Sequence, residues 1–446
     1  MNDDTRRLTE TAGRLIAAAK KAGADAADAA VVRSLGRSVD VRLGKVEDTE
    51  SSESEDLALR VFVGRRVATV SADVNADMDR LAERAVAMAK VSPEDRYASL
   101  APKERLAPDD GPDLDLYDPT TLASETMVEE ALALEEAARA VSGVTNSGGA
   151  SVSAGASGLV LVTSGGFAGS KMRSGFGRSV SVIAGEGTAM ERDYDFDSRI
   201  HYGDLDAPEA IGRRAGERTV RRLNAGKVPT GSYPIVFDPR VARGLIGSLV
   251  SAINGAAIAR KTSFLMDKMG ELVLPESVTI LDEPLLPRRA GSRAFDGEGV
   301  RGEAMALVEN GVLKTWLLDT ATANELGLST NGRAARSSGG VSPSASNVSV
   351  SPGRLTPEEL IAETGNGIYV HELIGQGVNL VTGDYSRGAT GFLIENGELT
   401  RPVSEFTVAG NLKEMLLGLT LADDLDTRFS LVAPTLRVER MTVAGH

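Results

Sequence analysis

Apolar residues recur at helical spacing near the start of the chain, at Leu8, Ala12, Leu15, Ile16 and Ala19, and Gly23 follows as a stop. The spacing predicts a helix over 8–21. The period then changes to two. Residues 28–34 and 38–46 alternate as strands do, with Gly36-Arg37 as the turn between them. The run 57–70 (LALRVFVGRRVATV) gives two further strands about a turn at Gly64-Arg65, and a second amphipathic helix is expected over 78–89. This αββββα order predicts an antiparallel sheet with helices packed on one face.

Five prolines between 91 and 119 (Pro93, Pro102, Pro108, Pro112 and Pro119) mark a connector or irregular excursion. A long helix is expected over 119–141, with Glu125, Glu129, Glu130, Glu135 and Glu136 on a solvated face. Residues 144–183 alternate small residues with Val and Leu, which suits a closely packed antiparallel sheet. Asp193, Asp195 and Asp197 alternate along the next stretch; a polar strand edge accounts for them, since no calcium-loop pattern surrounds them. A helix over 207–224 carries arginines on one face. Residues 233–237 form a short buried strand, and Asp238-Pro239 opens a helix as N-cap and first helical residue.

Beyond that helix the chain turns rich in glycine and in strand-like runs. A strand falls within 275–287, a polar Gly-rich loop spans 288–302, and two strands flank an Asn310-Gly311 turn. The stretch 329–346 is either a low-complexity linker or an ordered surface loop. Residues 347–351 are a β run, and 412–446 end in closing strands. The expected class is α+β: an N-terminal α/β domain over 1–225, with an antiparallel sheet, flanking helices and the Pro-rich excursion at about 91–119, and a Gly-rich, β-dominated C-terminal domain over 226–446.

Composition narrows the function without naming it. At 446 residues the chain exceeds one ordinary core. The net charge of -14 argues against a nucleic-acid groove as its main business. No segment approaches the ~18 uninterrupted apolar residues that a membrane span needs. The acidic N-terminus does not resemble a signal peptide. The absence of Cys closes disulfides, thiolate nucleophiles and Cys-based metal sites to this chain, and a cytoplasmic setting is expected.

The chemistry worth weighing lies in 365–415. His371 and Glu372 are the first two letters of a zinc-peptidase motif, which needs a second His at i+4 on the same helix face. Here i+4 is Gly375. Gln376 follows, whose neutral amide is a poor zinc ligand. An i, i+5 pair on an ideal helix lies ~140° apart, so that spacing needs a bent or terminal helix. Residue types alone favour an imidazole hydrogen-bonded in a loop, beside a surface or capping carboxylate. No nucleophile elbow and no phosphate-binding loop is present.

Several long blocks carry a resemblance. DPRVARGLIGSLVSAINGAAIARKTSFL (238–265), AFDGEGV (294–300), ENGVLKTWLLDT (309–320), HELIGQGVNLVTGDYSRGATGFLIENGEL (371–399) and PVSEFTVAGNLKEM (402–415) resemble the TldD/PmbA family, and within it the PmbA (TldE) branch. The resemblance implies an α/β N-terminal domain and a β-rich C-terminal one. It also implies a TldD–TldE heterodimer that acts as a zinc-dependent peptidase on unfolded peptides, removes a microcin leader and degrades an antitoxin. TldD subunits carry HExxxH and a C-terminal Cys.

Carried over residue by residue, the first His falls on His371, the Glu on Glu372 and the second His on Gln376, while the Cys has no counterpart. The i, i+5 spacing is therefore the family's own. The expectation is a chain that binds no metal itself, leaves zinc to a TldD-like partner and helps to hold extended peptides. Gly383, Asp384, Tyr385, Ser386, Arg387 and Gly388 are the candidate contacts, through backbone hydrogen bonds to an exposed strand. Two alternatives are a self-sufficient metallopeptidase homodimer and a non-proteolytic regulator linked to DNA gyrase or to toxin–antitoxin systems.

Overall fold

The computed structural model describes residues 2–337 and 339–446; Met1, at the acidic N-terminus, and Ser338, inside the stretch 329–346, lie outside them. The first half is a six-stranded antiparallel sheet with helices on one face. Helix α1 (Asn2–Lys21) precedes β1 (Ala26–Arg42), β2 (Lys45–Val63), β3 (Arg66–Asp73) and α2 (Met78–Val91). Helix α3 (Ser124–Arg139), β4 (Val144–Thr163), β5 (Ala168–Ala184), β6 (Glu191–Arg199) and α4 (Pro208–Arg221) complete it, in the strand order β3-β2-β1-β4-β5-β6.

The expected αββββα is thus αβββα. Residues 28–34 and 38–46 are not two strands: β1 runs unbroken through Gly36, and the turn falls at Leu43-Gly44, both with positive φ. Gly36 stands opposite Gly155, whose added Cβ would lie 2.9 Å from the Leu35 carbonyl oxygen. Glycine is there for close strand approach, not for a turn.

Alternation along β1 assigns the faces. Ala27, Ala29 and Val31 pack under α1 and α2, whose Leu8, Leu15, Leu81 and Val86 are buried there. Val39 and Val41, on the same face, pack under α3 and α4. Each such Leu or Val contributes about 1.5–3 kcal/mol on burial. Helix α3 starts five residues later than expected, and its carboxylates are not all solvated. Glu135 is buried and accepts the amides of Leu43 and Gly44, both at 2.7 Å, which fixes the β1–β2 turn. Glu130 pairs with Arg178 at 2.6 Å.

The other face of the sheet, with Ala30 and Leu161, meets the second half of the chain through Phe167 and Phe295. The Pro-rich excursion is ordered and crosses this face, where the Ala107 amide donates to Gly299 at 2.8 Å. An ion network ties the seam. Arg60 on β2 holds Asp28 at 2.6 Å and Glu298 at 3.1 Å, and Arg336 reaches Asp28 at 2.8 Å.

The second half begins with β7 (Gly231–Phe237), α5 (Pro239–Ala252) and α6 (Gly255–Ala259). The Asp238 side chain accepts the Arg240 amide at 2.8 Å, the expected cap, while the Asn254 side chain accepts the Ala256 amide and caps α6. Strands β8 (Ile280–Asp282), β9 (Met305–Glu309) and β10 (Val312–Leu313) come next, then α7 (Thr320–Leu326). The hairpin β11 (Ala334–Ser337) and β12 (Gly340–Pro343) and β13 (Val348–Val350) follow. Within 329–346, Ala334–Ser337 and Gly340–Pro343 pair antiparallel, and Arg333 is fully buried against Asp282 at 2.6 Å.

The chain ends with α8 (Pro357–Thr364), β14 (Gly367–Ile374), β15 (Asp384–Glu395), β16 (Glu398–Asn411), α9 (Leu412–Leu417), β17 (Leu419–Leu421), β18 (Leu431–Val432) and β19 (Leu436–Ala444). Strands β16-β15-β14-β7-β19 close into a barrel through β16–β19 pairing, and β10-β9-β8-β13-β18 form a second sheet. Helix α5 buries Leu245, Ile246 and Leu249 in one core with barrel residues Ile235, Ile368 and Val408 and sheet residues Ile280, Leu307 and Val348. The mixed α+β class holds across the chain. No described helix is long and apolar enough to cross a membrane.

Candidate functional site

His371 and Glu372 sit on neither a helix nor a loop. They lie on β14, where the pairing with β15 jumps from Val370–Gly391 to Glu372–Thr390. His371 is the extra residue of this bulge, which turns its side chain out of the barrel toward β6 and α4. An i, i+5 partner was expected to need a bent helix; instead Gln376 follows the end of β14 and is exposed.

The imidazole was expected to be hydrogen-bonded. Instead, both ring nitrogens are buried without a partner among the described residues. The ring rests against Phe392 at 5.3 Å between centroids. Two cavities, of about 190 and about 250 Å³, flank it and share Asp193, Arg240 and His371 in their walls. Both are roomy enough for water. Burial first, and then the nearby Arg222 guanidinium, push the imidazole pKa down to about 4, with Asp193 opposing and Arg240 and Arg221 adding to the fall. The ring is therefore neutral at pH 7.

The cations around it come from both halves of the chain. Asp193 and Asp195 of β6 meet the arginines of α4 and of its C-cap, which stand one turn apart, while Asp197 meets Arg199 and Arg428. Arg214 and Arg218 hold Asp195 at 2.7 and 2.6 Å. Arg222 reaches Asp193 at 3.5 Å, Glu191 at 3.2 Å and Glu372 at 2.6 Å. From α5, Arg240 holds Asp193 at 3.1 Å. The alternating aspartates thus face guanidinium groups, so a polar strand edge is only part of their account. The arginine stripe of α4 was visible in the sequence, but nothing there linked it to β6 or to His371. Tyr369 donates to Asp238 at 2.7 Å, and burial raises its phenol pKa well above the usual value.

A zinc ion does not fit this set. His371 has lone pairs to offer, but Arg222, Arg240 and Arg221 surround it with positive charge. Asp193 is committed to two guanidinium groups, and Glu372 to Arg222 and to the Thr390 hydroxyl at 3.3 Å. Among the described residues, no group of three His, Asp or Glu side chains is placed to hold a metal. What the arrangement offers chemically is a neutral imidazole between two small polar cavities, able to give or take one hydrogen bond on either side.

The stretch 383–388 also differs from its expected use. Strand β15 pairs with β16 from Asp384–Asn411 onward, so one edge is taken. On the other side the Ser386 amide donates to Gly377 at 2.7 Å, the Asn379 amide to Asp384 at 2.9 Å and the Gly383 amide to Asn379 at 2.8 Å. No free strand edge remains there for an added peptide. Tyr385 is buried in the barrel core, and Asp384 accepts from Thr382 and Asn411. Gly388 pairs with Ile374. Arg387 alone of the six reaches the cavity beside His371.

Comparison with known proteins covers nearly the whole chain. Family models described as PmbA/TldA metallopeptidase domain 1, central domain and C-terminal domain match residues 27–89, 117–223 and 230–445. A protein named Metalloprotease PmbA homolog from Haemophilus influenzae is 38% identical over 435 residues, 96% of this chain and 94% of that one. Metalloprotease PmbA of Escherichia coli O157:H7 is 37% identical, covering 94% of this chain and 92% of its own. A crystal structure from Bacteroides thetaiotaomicron, of a protein described as a candidate modulator of DNA gyrase, superposes with a TM-score of 0.91 at 30% identity over 98% of both chains. TldE from Thermococcus kodakarensis shares the fold, with a TM-score of 0.85 at 24% identity over 98% of this chain and 100% of that one.

Proposed function

Because the chain is a member of the PmbA/TldD metallopeptidase family, we propose that it is the TldE-type subunit of a two-chain zinc peptidase, non-catalytic by itself. One observation carries this reading. The residues that would begin a zinc site lie on a bulged strand, inside a cage of guanidinium groups whose carboxylates are already spent on arginines. A dication placed there would displace ion pairs and face three cations. In this reading zinc and hydrolysis belong to a TldD-like partner with an intact HExxxH and a C-terminal Cys, working in the cytoplasm on unfolded or extended peptides. This chain completes the two-chain assembly and contributes neutral hydrogen-bonding groups. Contact with peptide backbone runs through side chains such as Arg387, not through a sheet edge.

The test is reconstitution. Purified chain and a TldD-like subunit are assayed on an unfolded peptide, separately and mixed. Hydrolysis by the mixture alone is the expected result. Full activity in the partner alone would overturn the proposal. So would about one zinc per molecule of this chain, lost in His371→Ala, with hydrolysis by this chain alone; that outcome is the self-sufficient homodimer.

A further inference from the structure

A crevice of about 380 Å³ lies between the helix-free face of the first sheet and the loops of the second half. Its floor is β4 and β5, its roof residues 290–293, and Ser346 and Ser430 close one side. Three cations line it: Lys171 and Arg173 from β5, and Arg293 from the roof. Among the described residues no Asp or Glu lines it. That is unusual in a chain with 63 acidic residues against 49 Lys and Arg.

Each cation has been left short of a counter-charge. Arg173 spends its terminal nitrogens on the carbonyls of Ala290 and Ser292, which clamps roof to floor. Arg293 donates to the Ser344 carbonyl at 2.7 Å, while its Nε is buried without a partner. Lys171, open to water within the crevice, has only the face of Phe295, 5.7 Å from its Nζ, and no hydrogen bond or ion pair among the described residues. Ser157 and Ser430 offer hydroxyls that no described group takes. Two buried carboxylates act on these cations from outside the crevice, and both are engaged: Asp296 accepts the amides of Glu298, Val300 and Ala334 at 2.8–2.9 Å, and Asp282 pairs with Arg333. Crowding by protein, then Arg293 and Arg173, lowers the Lys171 ammonium pKa to about 8, and burial lowers Arg293 as well.

Buried or crowded cations are ordinarily paired. Elsewhere along this seam Arg60 is paired with Asp28 and Glu298, Arg336 with Asp28, and Arg333 with Asp282. We propose that the crevice between β4–β5 and residues 290–293 binds a multivalent oxyanion of the phosphate class, with Lys171, Arg173 and Arg293 supplying the charge. A single carboxylate would meet one of three cations. A phosphoryl group carries up to two charges and several acceptor oxygens, which suits guanidinium, ammonium and hydroxyl donors together. The site joins both halves of the chain, so an anion in it would brace the seam. It is independent of whether this chain acts beside a catalytic partner.

Calorimetric titration of the full chain tests this, with chloride holding ionic strength constant. The probes are inorganic phosphate, pyrophosphate, a nucleoside diphosphate and acetate. Saturable binding of at least one phosphate probe, at least tenfold tighter than acetate, is expected. Comparing pyrophosphate with the nucleoside diphosphate tells a free anion from an ester. Lys171→Met should weaken the tightest probe at least tenfold with an unchanged circular dichroism spectrum. Lys103→Met, an exposed lysine elsewhere, should change it less than twofold. No saturable binding, or equal weakening in both variants, would overturn the proposal.

Discussion

Two sites at the seam between the halves are lined by arginine, and they differ in what faces the charge. Beside His371, Arg222 and Arg240 meet Asp193, Glu191 and Glu372 at 2.6–3.5 Å, so the protein neutralises itself. Beside Lys171, three cations meet carbonyls, an aromatic face and no lining carboxylate among the described residues. A cavity whose arginines are paired holds its shape without a charged ligand, and burial there keeps the imidazole neutral. An unmatched one is less stable when empty and has affinity to spare for an anion. The same residue type thus serves as scaffold in one place and as receptor in the other.

The sharpest way to break this contrast is to remove a matched arginine. Arg222→Met would take the ion-pair partner from Glu191 and Glu372 and leave Asp193 with Arg240 alone, and losing one partner of a buried pair costs about 3–5 kcal/mol. Urea denaturation should show a loss of that size with an unchanged slope. A loss below about 1 kcal/mol would mean the network is no more than a surface ion pair.

A second test uses the neutral imidazole. The folded-state pKa of His371 is lowered to about 4, against 6.5 for a free imidazole. Below pH 6.5 the unfolded chain takes up a proton that the folded chain refuses. This contribution is therefore intact above 6.5 and lost as pH falls from 6.5 toward 4. The loss is about 2–3 kcal/mol at most, allowing for the partial exposure of the ring. His371→Phe should lack it, so the gap between variant and parent should narrow or reverse across that window in denaturation at stepped pH. Parallel curves would place His371 in a more open setting than the cavities describe.

What the sequence could tell depended on how local each cause is. The stripe Leu8, Ala12, Leu15, Ile16 and Ala19 predicts α1 because its period is written in adjacent turns. The cap at Asp238-Pro239 is equally local. Gly36 misled because a glycine needed for close packing against β4 looks the same as one needed for a turn. Glu135 looked solvated because its two amide partners lie 91 and 92 residues away. At the candidate site, His371 and Glu372 were legible from their motif, but the bulge that carries them was not. The arginines that decide its chemistry arrive from α4 and α5, and no spacing rule connects those helices to β14. The Lys171 crevice is the extreme case, because its charges and hydroxyls are gathered from segments more than a hundred residues apart.

The mildest perturbation separates the two sites by sign. Lys171→Met deletes a cation that has no anion to lose, where Arg222→Met deletes one that has three. In chloride, with no phosphate present, the Lys171 variant should be as stable as the parent or more so, within about 0.5 kcal/mol. The groups facing Lys171 are Arg173 on its own strand and Arg293 and the distant Asp296 across the crevice. Its ammonium pKa of about 8 lies below the free value of 10.5, so the unfolded chain holds that proton over a window where the folded chain has released it. Parent stability should therefore rise relative to the variant as pH climbs from 8 toward 10.5, which erases the small advantage of the variant seen at pH 7. Denaturation at pH 7 and pH 10 checks both. A destabilised variant at pH 7 would show that Lys171 already has a partner in the protein, and the contrast between matched and unmatched cations would collapse.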